Sequence, residues 1–92
     1  MSKPRIDSEQ IPALIVAHIR AVRPVHAVDD AAAMDLKLRR ILDSLDMLEL
    51  IAYLEKTFGL KISDEDVVGR NFESVRSVVE FVRRKVESPA RV

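Results

Sequence analysis

Apolar residues recur every three or four positions in three segments of the chain, which is the spacing of one face of an α-helix. The first segment predicts a helix over residues 9–22, which Pro24 ends because proline biases the preceding residue away from the helical conformation. The second segment predicts a helix that starts near Asp43 and ends before Gly59, a residue type that tolerates the left-handed conformation after helix C-termini. The predicted inward positions of the first helix are Ile11, Leu14, Ile15, Ile19 and Val22.

The second predicted helix has two clearly different faces. Asp43 or Ser44 can cap its first turn, and Asp46 places a carboxylate near the positive end of the helix dipole. The spacing predicts an inward stripe of Met47, Leu50, Ile51, Leu54 and Phe58. It leaves outward Leu45, Leu48, Glu49, Ala52 and Lys56.

The last third of the chain predicts one short helix and one long helix. Ser63 with Asp66 three residues later resembles a capping box, and it opens a short helix that stops at Gly69. Asn71 or Ser74 can cap the final helix. Its apolar positions are Phe72, Val75, Val78, Val79, Phe81, Val82 and Val86.

Residues 25–42 have no sustained helical period. Asp29 and Asp30 could cap a short helix through Met34 and on to Leu36 and Leu38, but a long loop with one or two helical turns fits this segment as well, and we expect the loop with a turn in it. The predicted fold is all-α, a small four-helix bundle of three main helices and one short helix, with this long loop after the first helix.

With 92 residues the chain has room for one domain with a thin core. We expect that domain to span residues 8–87, with a flexible N-terminal tail over residues 1–7 and a C-terminal tail over residues 88–92. Fifteen basic and fifteen acidic residues cancel, which argues against binding nucleic acid through bulk charge. The absence of cysteine excludes disulfides and a protein thiol nucleophile.

The N-terminal residues lack the apolar core of a secretory signal, and no apolar run reaches the roughly 18 residues that span a bilayer. We therefore expect a cytoplasmic protein without a membrane span.

Ser44 is the residue with the most informative chemistry. A helix start presents unpaired backbone N–H groups and a positive dipole end, which together can hold a phosphate attached to a serine there. The two histidines, His18 and His26, lie upstream without the spacing of a catalytic triad or a metal site. We predict an attachment point at Ser44, no catalytic residue and no metal-binding residue.

An ordered set of residues carries a resemblance to acyl carrier proteins over about residues 41–86. The set is Asp43-Ser44-Leu45-Asp46, Glu49-Leu50, Leu54-Glu55, Phe58, Ile62-Ser63-Asp64-Glu65-Asp66 and the closing segment Val75 to Val82. The resemblance implies that a phosphopantetheinyl transferase moves phosphopantetheine from coenzyme A to Ser44, with Asp43 and Leu45 beside the attachment point. It also implies that acyl intermediates ride on the arm as thioesters and are presented to acyl-activating, acyltransferase or synthase enzymes.

The outer face of the second helix is predicted to bind these enzymes. Exposing leucines forgoes the roughly 1.5–3 kcal/mol that each could gain by burial, which suggests that a partner covers them intermittently. The predicted partner-binding residues are Leu45, Asp46, Leu48, Glu49, Ala52 and Glu55. No nucleic acid is expected among the partners, and we expect a monomer.

Two features depart from the pattern of carriers in fatty acid synthesis. Those proteins are strongly acidic whereas this chain is neutral, and Arg39-Arg40-Ile41-Leu42 stands where they usually carry a Leu-Gly pair. The resemblance therefore implies a specialised carrier in fatty acid, lipid or related secondary metabolism. Two alternatives stay open, namely an aminoacyl or peptidyl carrier with the same arm, and a non-catalytic helical adaptor in which Ser44 is only a helix cap.

Overall fold

The computed structural model describes residues 9–23 and 30–87. This part of the chain is helical and contains no strand beyond one bridging residue pair, as the all-α prediction requires. The helices are α1 (Gln10–Val22), α2 (Asp30–Ala33), α3 (Leu38–Ile41), α4 (Ser44–Phe58), α5 (Asp64–Val68) and α6 (Val75–Glu87), with a 3₁₀ turn over Arg70–Phe72. The two expected tails, Pro24 and His26 lie outside the described residues.

The three long helices α1, α4 and α6 pack against one another and supply most of the core. Every residue that is fully buried in the described part of the chain is apolar. Most predicted inward positions lie in this core, and Val16, absent from the predicted stripe, is also buried. The predicted inward positions that are only half-buried are Leu14, Val22, Met47, Ile51, Phe58 and Val86. The side chains with the lowest exposure are Ile11, Ile15, Ile19, Leu38, Leu50, Leu54, Phe72, Val75, Val78, Val79 and Val82.

The ends of α4 follow the predicted signals. Asp43 is the N-cap and forms a capping box with Asp46, so of the two candidates it is Asp43 and not Ser44 that caps the helix. Gly59 adopts the left-handed conformation with φ of 67°, and its backbone N–H donates to the carbonyl oxygen of Glu55. Ser44 is thereby placed as the first residue of the helix.

The described part of the segment between α1 and α4 contains two single-turn helices, α2 and α3, one turn more than the loop with a single turn that we expected. Backbone hydrogen bonds tie the segment to the start of α6. The Leu38 N–H donates to Glu73 O at 3.1 Å, and the Val75 N–H donates to Leu36 O at 3.1 Å. Leu38 is fully buried. Contacts that are remote in sequence therefore fix a segment whose local pattern is weak.

The caps of the last two helices are also settled. Ser63 and Asp66 form the predicted capping box of α5, while Gly69 ends that helix with φ of −80°, not in the left-handed conformation. Ser74 Oγ accepts from the Ser77 N–H at 3.2 Å, so Ser74 is the α6 cap. Asn71, the alternative cap, instead donates to the carbonyl oxygen of Asp66.

Candidate functional site

Ser44 lies exposed at the first position of α4, directly after the cap residue. The Asp46 N–H donates to Asp43 Oδ1 at 2.9 Å, and the Asp43 N–H donates to Asp46 Oδ2 at 3.3 Å. The capping role is thus filled by the two carboxylates. The Ser44 hydroxyl makes no hydrogen bond within the described part of the chain and is open to chemistry from outside.

A second cluster of contacts holds the two carboxylates beside Ser44. Arg23, at the end of α1, donates from Nε to Asp46 Oδ2 at 2.9 Å and from Nη2 to Asp43 Oδ2 at 3.2 Å. The hydrogen bond from the Asp46 N–H and, to a smaller extent, the charge of Arg23 lower the pKa of Asp43 below its ordinary value. The sequence pattern gave no signal for Arg23, because its partners lie 20 and 23 positions further along the chain.

An apolar groove opens beside Ser44, with a volume of about 560 Å³. That volume is within the roughly 300–1,000 Å³ of typical small-molecule pockets. Arg39, Asp43 and Ser44 are the polar residues that line it, and no histidine is among the lining residues. Its apolar walls are Leu42, Met47, Leu48, Ile51, Val67 and Phe72. The site therefore offers space for an aliphatic group, and the described residues that line it include no imidazole that could act as a general base for Ser44.

The outer face of α4 presents most of the predicted partner-binding residues. Leu45 and Leu48 are 71 % and 62 % exposed, and Glu49 and Ala52 are also exposed. The remaining two predicted residues make contacts within the protein. Asp46 is half-buried and paired with Arg23, and Glu55 Oε2 accepts from the Ile62 N–H at 2.9 Å.

Val68 on α5 adds an apolar residue that sequence reasoning did not single out. Its side chain is 74 % exposed, and its neighbour Val67 lines the groove. The exposure of Val68 could have been predicted from the sequence, since an apolar residue at the end of a five-residue helix has few neighbours to cover it.

His18 has a packing role between α1 and α4. Its ring stacks on Tyr53 with centroids 4.3 Å apart and 16° between the planes. Burial lowers the pKa of His18, and the nearby charge of Glu49 opposes this shift. The neutral imidazole is thus favoured, as expected of a residue packed against an aromatic ring.

Comparison with known proteins supports the resemblance to acyl carrier proteins. The family described as "Phosphopantetheine attachment site" matches residues 41–82. An acyl carrier protein of Thermosynechococcus vestitus is 40 % identical over 73 residues, which cover 78 % of this chain and 83 % of that protein. An acyl carrier protein of Onion yellows phytoplasma is 36 % identical over 76 residues, covering 83 % and 92 % of the two chains. No solved structure matches.

The helical fold and the family match together define a carrier that bears a covalently attached phosphopantetheine and is not an enzyme. With relatives at this identity over most of its length, the chain belongs to the acyl carrier protein family. The predicted resemblance and cofactor are confirmed, and the adaptor alternative is not supported. Proteins of this family interact with phosphopantetheinyl transferases and acyl-handling enzymes. In the described residues, no helix is long and apolar enough to cross a membrane.

Proposed function

We propose that Ser44 carries the phosphopantetheine arm and that the protein holds acyl intermediates on it for presentation to partner enzymes. The observation that carries this proposal is the state of the Ser44 hydroxyl. It is exposed, it is left free by the cap that Asp43 and Asp46 form, and it lines the apolar groove. When bound, the arm supplies the thiol that this cysteine-free chain lacks and that carries an acyl group as a thioester.

The surroundings of Ser44 support the proposal that another protein performs the activation step. A serine hydroxyl is a weak nucleophile unless a neighbouring base takes its proton. The groove contains no histidine, and the closest carboxylate in sequence, that of Asp43, is held by the Asp46 N–H and by Arg23. In this proposal the transferase supplies the base, and the capping box supplies a fixed helix start for it to recognise.

The groove favours an acyl cargo. Its lining is dominated by aliphatic and aromatic side chains, and burial of apolar surface stabilises a bound group by roughly 25 cal/mol per Å². An aminoacyl group would bring its own ammonium charge into this lining, which is costly without a partner. The aminoacyl or peptidyl carrier is therefore the second candidate.

Fatty acid, lipid or related secondary metabolism is the proposed setting, with Leu45, Leu48, Glu49 and Ala52 forming the docking surface for the enzymes involved. The neutral overall charge supports a specialised carrier rather than a general one. The cytoplasmic location and the monomeric state stay predictions.

Intact-mass measurement tests the attachment. Incubation with coenzyme A, magnesium and a phosphopantetheinyl transferase is expected to add one arm to the wild type and none to Ser44→Ala. Ser63→Ala is the matched control, since Ser63 is also an exposed serine at a helix start but its hydroxyl is used as the cap. An arm on Ser44→Ala, or a wild type left bare by several transferases, would contradict the proposal.

The cargo is tested on the modified protein. Acyl-activating enzymes for fatty acids and adenylating enzymes for amino acids are offered in parallel, and the thioester that forms is identified by mass. Loading by fatty acids alone is expected. Loading by amino acids alone would favour the aminoacyl carrier instead.

A further inference from the structure

A shallow hollow next to Ser44 is lined by three arginines. Arg23, Arg39 and Arg40 surround an open space of about 430 Å³, which Ile41, Leu42 and Asp43 complete. Arg39 also lines the apolar groove that contains Ser44. This residue therefore stands at the boundary between a basic hollow and an apolar groove, next to the proposed attachment point.

The charges in this hollow do not balance. Arg23 is shared between Asp43 and Asp46, whereas Arg39 and Arg40 pair with no carboxylate in residues 9–23 and 30–87. Among the residues that the structure describes around this hollow, three guanidinium groups thus accompany two carboxylates, an excess of one positive charge. Because the whole chain has no net charge, this excess is a local feature of the site.

The backbone beneath the two free arginines is fixed. They occupy the middle of α3, whose ends are held by Leu38 and Leu42 at 0 % and 7 % exposure in the core. The Leu42 N–H donates to Leu38 O at 2.8 Å and closes the turn. Side chains that extend from such an anchored turn lose less freedom on binding a ligand than those on a mobile segment.

We propose that Arg39, assisted by Arg40, binds the phosphodiester of the arm and holds the first segment of the arm at the mouth of the groove. This inference rests on the proposed attachment of the arm at Ser44. A guanidinium presents a planar fork of N–H donors that matches two phosphate oxygens. The single negative charge of a phosphodiester would offset the local excess. Arg23 already forms ion pairs with Asp43 and Asp46, which reduces the repulsion between these carboxylates and the phosphodiester.

The covalent link favours this occupant over an acidic surface on another protein. A group tethered at Ser44 is present at a high effective concentration, whereas a partner has to be recruited from solution. Binding of an acidic partner by the same arginines is the competing outcome of the test.

The experiment compares melting temperatures of the apo and holo forms for the wild type, Arg39→Gln and Arg70→Gln. Arg70 is the matched control, because it is an exposed arginine on the 3₁₀ turn and lines neither the hollow nor the groove. In low salt we expect the arm to raise the melting temperature by about 2–4 °C in the wild type and Arg70→Gln. Arg39→Gln should lose at least half of this rise.

Two further measurements identify the contact. The ³¹P resonance of the holo protein is expected to shift in Arg39→Gln and to stay in place in Arg70→Gln. Because the Debye length falls to about 3 Å at 1 M salt, the rise in melting temperature should shrink there in the wild type.

The outcomes separate this inference from the carrier function. If mass measurement shows no arm on Ser44, the proposed function fails and this inference fails with it. If the arm is present but the apo-to-holo change and the ³¹P resonance are the same in the wild type and Arg39→Gln, only this inference is overturned. If Arg39→Gln instead slows modification or loading at low salt without changing either readout, the arginines bind an acidic partner and not the phosphodiester.

Discussion

Two pairs of leucines on α4 have opposite environments although they share one helix. Leu50 and Leu54 are fully buried, whereas Leu45 and Leu48 are 71 % and 62 % exposed. The helical repeat of 3.6 residues separates the pairs, because residues two apart, such as Leu48 and Leu50, lie about 200° apart around the axis. Residue type therefore does not decide burial here; the direction in which α1 and α6 approach does. One face of α4 stabilises the fold, and the opposite face is left exposed.

Between these faces lies a third environment. Met47 and Ile51 are half-buried and line the groove beside Ser44. Because α4 passes from core through groove to open surface, it contributes to stability without closing the space next to Ser44.

Leu54→Ala is expected to lower the free energy of unfolding by about 2–5 kcal/mol, because it leaves a cavity in a fully packed region. Leu48→Ala, the same change on the open face, should alter it by less than about 0.5 kcal/mol. Urea unfolding of both variants measures the difference. Equal losses would show that the two faces are not energetically distinct.

Phe58→Ala is expected to have an intermediate effect. A fully buried phenylalanine costs about 3–5 kcal/mol when truncated, but Phe58 is only half-buried and contacts Tyr53 edge to face, so we expect about 1–3 kcal/mol. The same urea titration checks it. A loss as large as that of Leu54→Ala would place Phe58 in the core and move the boundary between the two environments.

Leu48→Glu is expected to leave helicity and melting temperature nearly unchanged and to slow modification or loading by partner enzymes. A carboxylate in the centre of an apolar contact would have to be desolvated on binding. Ala17→Glu adds the same charge at an exposed position of α1 and should not slow these reactions. Unchanged rates for Leu48→Glu with every partner would remove the outer face from the docking surface.

The smallest effect is a pH dependence at the start of α4. Since the pKa of Asp43 is lower in the folded protein than its ordinary value of about 3.9, its stabilising contribution is present above that value and is lost as pH falls through the folded pKa. Asp43→Asn keeps a capping oxygen but no charge. Its melting temperature should lie below that of the wild type at pH 7, and the gap should close below about pH 4. A gap that stays constant down to pH 3 would show that the charge has no such role.

The long helices could be predicted because their information is local. The spacing from Met47 to Phe58 and the caps at Asp43 and Gly59 define α4 without reference to the rest of the chain. The segment from Met34 to Leu38, which joins α2 to α3, is held instead by backbone hydrogen bonds to residues 73–76, which no local pattern reveals.

The candidate site likewise contains residues that the local sequence reveals and contacts that only the folded chain reveals. Ser44 and its flanking carboxylates could be found from the sequence, since they are adjacent in it. The contact from Arg23 to these carboxylates and the contact from Glu55 to the backbone of Ile62 required the folded chain. The first joins the end of α1 to the start of α4, and the second joins α4 to the segment before α5.

The stack of His18 on Tyr53 also gives the protein an intrinsic fluorescence probe at the contact between α1 and α4. The chain contains one tyrosine and no tryptophan, so ultraviolet emission comes mainly from a single ring. That ring lies against His18 and donates from its hydroxyl to the carbonyl oxygen of Leu14 at 3.3 Å. Any event that separates α1 from α4 must alter the brightness of this fluorophore, which allows such movements to be followed without an added label.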